Sequence, residues 1–374
     1  MKFNDDMIHK VRQALDSCLG DTVFARLVDE AAKPDMGNWQ PDLALRISLP
    51  GNCAVDLVIK VKENGQPRHA RTAVDQLLVY MNRFPAAYGI FVAPYISPDA
   101  GEICARAGIG YVDIAGNCRL EIERHPVYIY IRKEGVSNHF SEKRDLRSLY
   151  SPKASRVLRV LMANPERSWK VQELASAAKI SLGQVSKVKK LLADRESIIE
   201  TRNGMMLKTP EAVIMEWASN LRYSDKRLAQ DFYSFQKPAE VESRLADLCD
   251  SEGIPYGLTE FSGAARVAPI VRYQRATAYI AGDVAQIADK LELTQVSIGA
   301  NVRLFVPKDE GVFLESTIIG GIRIVSPVQL YLDLCRVPGR GDEAAAAVLE
   351  QVLRPSWTST IKYSVGKVTN DQEG

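Results

Sequence analysis

Between residues 168 and 208 the spacing of apolar positions changes twice. Val171, Leu174, Ala175 and Ala178 recur at helical spacing, so a short helix buries that face. Lys179-Ile180 makes a turn. Ser181 follows as an N-cap with Gln184 three positions on, a capping-box pattern. The second helix then buries Leu182, Val185, Val188 and Leu192. Its other face carries Gln184 and Lys187, with Ser186, Lys189 and Lys190 further round. Residues 198–202 and 205–208 are strand-like and flank Asn203-Gly204, the strongest short hairpin signal, because both central residues of such a turn need φ > 0. A helix opened by Ser151-Pro152, with Val157, Leu158, Val160 and Leu161 as core, precedes this stretch. Another, opened by Thr209-Pro210 and turning Val213, Ile214 and Trp217 inward, follows it.

Elsewhere the pattern alternates between strand and helix. Residues 1–33 read as two amphipathic helices, on Met7, Val11 and Leu15 and then on Val23, Leu27 and Ala31. Leu43, Leu45, Ile47 and Leu49 alternate as a strand. After a turn at Pro50-Gly51-Asn52, Val55, Leu57, Ile59 and Val61 share one face of a second strand, and Asp56, Val58, Lys60 and Lys62 share the other. A helix over 69–83, an all-apolar strand over 88–93, a helix over 98–107 and strands near 111–114 and 125–132 suggest a partly parallel sheet. Residues 133–151 are polar and read as a linker, and 225–239 as an exposed connection. Strands at 276–281, 301–306 and 322–325 alternate with helices at 241–251, 284–291, 326–334 and 342–353, which makes a second α/β region. The tail from Ser356 reads as loose.

At 374 residues the chain exceeds one ordinary domain. The expectation is an α/β multidomain protein: 1–135 an α/β domain, 150–222 a central winged helix-turn-helix, and 239–355 a C-terminal α/β domain. The winged unit carries the functional expectation. N-terminal residues of a second helix can enter the major groove, so Ser181, Gln184 and Lys187, with Ser186 beside them, are candidates for base edges. Lys189, Lys190, Arg202 and Lys208 are candidates for phosphates. The net charge of +2 does not announce a nucleic-acid binder, but basic residues clearly outnumber acidic ones from Arg132 to Lys208.

Six scattered cysteines without a CxxC pair, and four separated histidines, give no zinc spacing, so no metal or cofactor is expected. The N-terminal MKFNDDMIHK lacks an apolar signal core, and no apolar run is long enough to span a bilayer, so a reduced, cytoplasmic location is expected. A nucleotidyltransferase centre in the last domain would need paired carboxylates on a strand; Ser262-Gly263 has no DxD after it, and Asp283 and Asp289 are isolated.

Pro41-Asp42, the strand ending Lys60-Val61-Lys62, and Gln76 with Tyr80 on the next helix resemble the PD-(D/E)XK nuclease core with its QxxxY motif. The resemblance implies a first acid at Asp42 and a lysine at Lys62. It breaks at Lys60, where the second carboxylate of an active member would stand. Asp56 lies on the correct face but four residues back, about 13 Å away at ~3.3 Å per residue. The implied domain is therefore nuclease-like without nuclease chemistry, with Asp42, Asp56, Lys60, Lys62, Gln76 and Tyr80 as vestigial positions.

Residues 325–334 followed by Gly339-Arg340-Gly341 resemble the C-terminal domain of AbiEi-family antitoxins of type IV toxin-antitoxin systems. In that family the winged helix often stands at the N-terminus, whereas here it is central. The resemblance implies a sequence-specific double-stranded-DNA-binding regulator that represses its own promoter, and an antitoxin opposing a nucleotidyltransferase-like toxin. A homodimer is expected, because palindromic operators match two-fold proteins. The alternative is a divergent Mg-dependent DNA nuclease carried to its target by the winged helix, using Asp42, Asp56 and Lys62.

Overall fold

The structure is a computed structural model that describes residues 5–20, 22, 25–30, 40–125, 127–138, 148–224, 227–270 and 272–357. The chain divides into two compact units, 1–145 with 193–196, and 146–192 with 197–374. Among the described residues no helix is long and apolar enough to cross a membrane.

The first unit is built on a seven-stranded sheet whose strands lie side by side in chain order. Helix α1 (Asp5–Leu19) precedes β1 (Arg26–Glu30), β2 (Leu43–Leu49) and β3 (Cys53–Val61). Then come α2 (Pro67–Arg83), β4 (Ala87–Ala93), α3 (Pro98–Arg106), β5 (Gly110–Asp113), β6 (Cys118–Arg124) and β7 (Val127–Lys133). β3, β4 and β5 run parallel because α2 and α3 carry the chain back between them. The other neighbours are antiparallel.

Alternation along β3 fills both faces of this sheet. Val55, Leu57, Ile59 and Val61 enter a core with α1, and Val58 enters another with α2 and α3. β4 is buried along its whole length, as an apolar run between two helical layers must be.

The second N-terminal helix expected on Val23, Leu27 and Ala31 is instead the strand β1 over its described part; Val23 and Ala31 lie outside the described residues. Leu27 is taken by cross-strand pairing with Ile47 and packs on the α1 core, and a pattern this short does not separate the two periods. The expected linker begins as ordered chain: Val136 N–H donates to Asn117 Oδ1 at 2.8 Å, and Asn138 Nδ2 donates to Asp113 Oδ2 at 2.9 Å. Residues 139–147 lie outside the described residues.

The second unit opens with α4 (Pro152–Ala163), α5 (Val171–Ala178) and α6 (Leu182–Asp194), then β8 (Ile198–Thr201), β9 (Gly204–Leu207) and α7 (Pro210–Ser224). A seven-stranded mixed sheet follows. Its elements are β10 (Leu228–Tyr233), α8 (Pro238–Glu252), β11 (Tyr256–Leu258), α9 (Glu260–Val267), β12 (Ala276–Ile280) and α10 (Val284–Lys290). They continue with β13 (Thr294–Gln295), β14 (Val302–Val306), β15 (Thr317–Ile319), β16 (Ile322–Ile324), α11 (Pro327–Leu334) and α12 (Gly341–Val348). The strand order is β13-β10-β14-β12-β11-β16-β15.

α8 and α10 pack their apolar sides on this sheet, while α9, α11 and α12 pack with one another. The residues expected as an exposed connection, 225–239, hold β10 and the start of α8. β10 pairs with both β13 and β14, and Phe232 is buried in the sheet's core. Helical turns continue past α12 to Trp357, whose Nε1–H donates to the Met162 carbonyl at 3.1 Å; residues 358–374 lie outside the described residues.

Candidate nucleic-acid interface

α5 and α6 are joined by a turn that the local sequence dictates. Lys179 adopts the left-handed conformation at φ 53°, and the Ile180 N–H reaches back to the Ala175 carbonyl at 3.0 Å. Ser181 then starts α6, its Oγ accepting the Gln184 N–H at 3.4 Å. Val185, Val188 and Leu192 fix the buried stripe of α6, and Leu174, Ala175 and Ala178 are the buried residues of α5. Leu182, expected in that stripe, is 50% exposed: it sits in the first turn, ahead of the point where α6 packs.

With that stripe fixed, Ser181, Ser186, Lys187 and Lys190 are exposed and Gln184 is half-buried. Lys189 is partly covered and pairs with Glu200 of β8 at 2.6 Å, which ties the helix to the hairpin. Arg202 and Lys208 are exposed on the hairpin.

The hairpin turn is displaced by one residue from its expected place. Thr201 pairs with Gly204, so Arg202-Asn203 form the loop, and Gly204, not Asn203, carries the positive φ, at 138°. Thr201 Oγ1 accepts the Asn203 N–H at 3.2 Å. The glycine is needed for another reason too. Trp169 and Met205 exchange backbone hydrogen bonds at 2.9 Å each, and a Cβ on Gly204 would stand 2.4 Å from the Trp169 carbonyl oxygen.

Beside the turn lies a groove of about 560 Å³, lined by Lys153, Arg156, Lys179, Ser181 and Gln184 among others. Sequence reading missed Lys153, Arg156 and Lys179 here. The available signal was that all three are basic and stand at the start of α4 or in the α5–α6 turn, the places nearest Ser181. Arg156 does double duty. Its Nε and Nη2 grip the Asp309 carboxylate at 2.7 and 2.9 Å, and its Nη1 reaches the Lys179 carbonyl at 3.5 Å. Burial pushes the Asp309 pKa up, but the Arg156 hydrogen bonds and the Gly311 N–H hold it below the ordinary aspartate value. Such a surface can present hydrogen-bonding groups and positive charge to a polyanion.

In the first unit, Asp42 lies at the edge of β2, its N–H bonded to the Ile59 carbonyl at 3.0 Å. Its carboxylate accepts the Val61 N–H at 2.8 Å and pairs with Lys60 at 3.2 Å. Asp56 stands opposite Arg46, four positions along the β2–β3 ladder, and pairs with it at 2.7 Å. The structure thus joins Asp42 to Lys60 and leaves Asp56 in a separate pair. Burial, and then the charge of Lys60, lower the Lys62 pKa. Gln76 Oε1 is buried with no hydrogen-bond partner among the described residues, and Tyr80 one turn later is buried in the core that also takes Val58 of β3. A second cation beside a lone carboxylate is poorly arranged to hold a divalent ion. Among the described residues no group of three or more His, Cys, Asp or Glu side chains is placed for one.

Residues 206–354 match the family described as transcriptional regulator, AbiEi antitoxin, type IV TA system. The match starts within the hairpin and runs through the C-terminal sheet to the turns after α12; residues 325–341, which carried the resemblance in the sequence, lie inside it. α4, α5 and α6 precede it. No curated protein and no solved structure matches the chain.

Proposed function

We propose that the chain is a DNA-binding transcriptional regulator that represses its own promoter and serves as the antitoxin of a type IV pair. One observation carries the DNA-binding part: α6 turns Ser181, Ser186, Lys187 and Lys190 to solvent, beside a hairpin bearing Arg202 and Lys208, in the same unit as the region matched to a regulator family. Helix, turn, helix and hairpin are the parts of a winged helix-turn-helix. In that reading α6 enters the major groove, with Ser181, Gln184 and Lys187 at the base edges. Lys190, Arg202 and Lys208 then contact phosphates, and Lys189 contributes less because Glu200 holds it. The cationic groove at Lys153 and Lys179 extends this face. The antitoxin role rests on the family match, a nucleotidyltransferase-like toxin as partner on the resemblance of residues 325–341, and a homodimer on the symmetry of operators.

The first unit, in this reading, is a nuclease-like fold without nuclease activity, and the protein is not an enzyme. The Asp42–Lys60 pair supports that, since the lysine already neutralises the carboxylate a metal would need.

The test is equilibrium binding of the full chain to duplexes selected from random sequence, at several salt concentrations. Gln184→Ala with Lys187→Ala should weaken specific binding by ~1–3 kcal/mol for each base no longer recognised and leave non-specific binding nearly unchanged. Lys190→Ala with Lys208→Ala should weaken both and flatten the salt dependence by about one charge each. A full chain that selects no sequence, or variants that bind as the parent does, would refute the proposal.

A further inference from the structure

Arg159 is an unusual residue to find inside a protein. It sits on α4, is 6% exposed, and lies over the Trp217 ring at 4.8 Å from its centroid. Its guanidinium donates to neutral groups: Nη1 to Ser155 Oγ at 2.7 Å, and Nη2 to the Gln329 side-chain oxygen. Its Nε–H has no hydrogen-bond partner among the described residues, and neither has the Trp217 indole N–H. A buried cation with neutral partners and an orphan donor is costly unless something negative completes its shell.

Arg159 and Trp217 line a cavity of about 110 Å³ where α4 and α7 meet the C-terminal sheet domain. Lys308, Arg227 and Arg336 line it as well, against a single carboxylate, Asp309. That carboxylate is committed to Arg156. Arg227 is already held by Glu260 at 2.5 Å and by Asp333 at 3.4 Å, and Asp333 also accepts Thr259 Oγ1 at 2.6 Å and Tyr279 Oη at 2.9 Å. Burial lowers the Arg159 pKa to about 10, against the pull of Asp333. The cavity exceeds the room one water needs, and the groups around it are mostly donors.

We infer that this cavity is a binding site for a small oxyanion, a free phosphate or the carboxylate or phosphoryl end of a small metabolite, which completes the shell of Arg159. The occupant ties α4 and α7 to the C-terminal domain, since its ligating groups come from both sides. The inference does not depend on the DNA-binding reading.

The test is isothermal titration of the full chain with inorganic phosphate and, separately, with acetate, at fixed ionic strength. Saturable binding of one anion per chain is expected. Phosphate alone indicates a phosphoryl ligand, and both indicate a general oxyanion site. Gln329→Glu places a carboxylate against Arg159 from within. It should keep the parent's melting temperature or raise it, and weaken anion binding roughly tenfold or more. Arg275→Ala, in the neighbouring cleft that shares Arg227 and Arg336, should leave binding unchanged. The inference falls if neither anion binds saturably in the millimolar range, or if Gln329→Glu binds as tightly as the parent.

Discussion

Replacing Asp309 by asparagine should loosen the hold of the C-terminal domain on α4. The Arg156 and Asp309 side chains are 14% and 15% exposed, and their two bonds are charge-assisted and bidentate. Asp309 Oδ1 also accepts the Gly311 N–H at 2.8 Å. Asparagine keeps one oxygen for these donors and turns an amide N–H₂ towards the guanidinium. Removing one partner of a buried pair costs ~3–5 kcal/mol, and the residual access of water to Arg156 reduces this to about 2–4 kcal/mol. Urea unfolding of the full chain, followed by tryptophan fluorescence, reads it. Trp169, Trp217 and Trp357 are all buried in this unit, and its transition is fitted separately from that of the first unit.

The pH dependence supplies the sign. The folded pKa of Asp309 is depressed, so the pair stabilises the fold above the ordinary aspartate value of about 3.9. That contribution is lost as pH falls through the depressed folded value. The gap between parent and Asp309→Asn should therefore be constant from neutrality to about pH 5 and close below about pH 4. A neutral-pH gap under about 0.5 kcal/mol, or one that survives full protonation, refutes the reasoning.

Two further outcomes are expected. Gly204→Ala should destabilise the hairpin by about 2–4 kcal/mol, since φ is 138° and the new methyl meets the Trp169 carbonyl; weaker protection of the Met205 amide in hydrogen exchange reads it, and unchanged protection would contradict the assigned close approach. The full chain should release no more cut duplex with Mg²⁺ or Mn²⁺ than Asp42→Ala does; cleavage that disappears in the variant would favour the nuclease alternative.

Much of this architecture could be read from periodicity. The alternation on β2 and β3, the apolar run of β4, and the cap at Ser181 are local signals, and the structure places each element where they put it. β10 escaped because Leu228–Tyr233 has one fully buried side chain, and its Asp231 reads as surface. That acid pairs with Arg303 on β14, at 2.7 Å for both bonds, a partner 72 residues away. The polar face of α6 was legible because caps and apolar spacing fix which side turns outward. Arg159 was not, because an arginine three places after Arg156 looks like one more solvated charge until Gln329, 170 residues later, folds over it.

Residues 150–192 and 197–222 share one compact unit with the rest of the chain to its C-terminal end. α4 buries Ala154, Ser155, Val157, Leu158, Arg159, Val160, Leu161 and Met162, which is burial round most of its circumference, and a helix covered in that way belongs to an interior. α5 covers one side; α11 and the turn at Glu310–Phe313 cover another. Cutting after residue 222 would strip Asp309 from Arg156, Gln329 from Arg159 and the Trp357 indole from the Met162 carbonyl, leaving Arg156 without its carboxylate and an apolar face open to water. Failure of such a fragment to bind a duplex would report disrupted packing and would say nothing of the α6 surface. The surface is tested in the full chain, where the C-terminal domain acts as the second wall of the core that holds α5 and α6 in place.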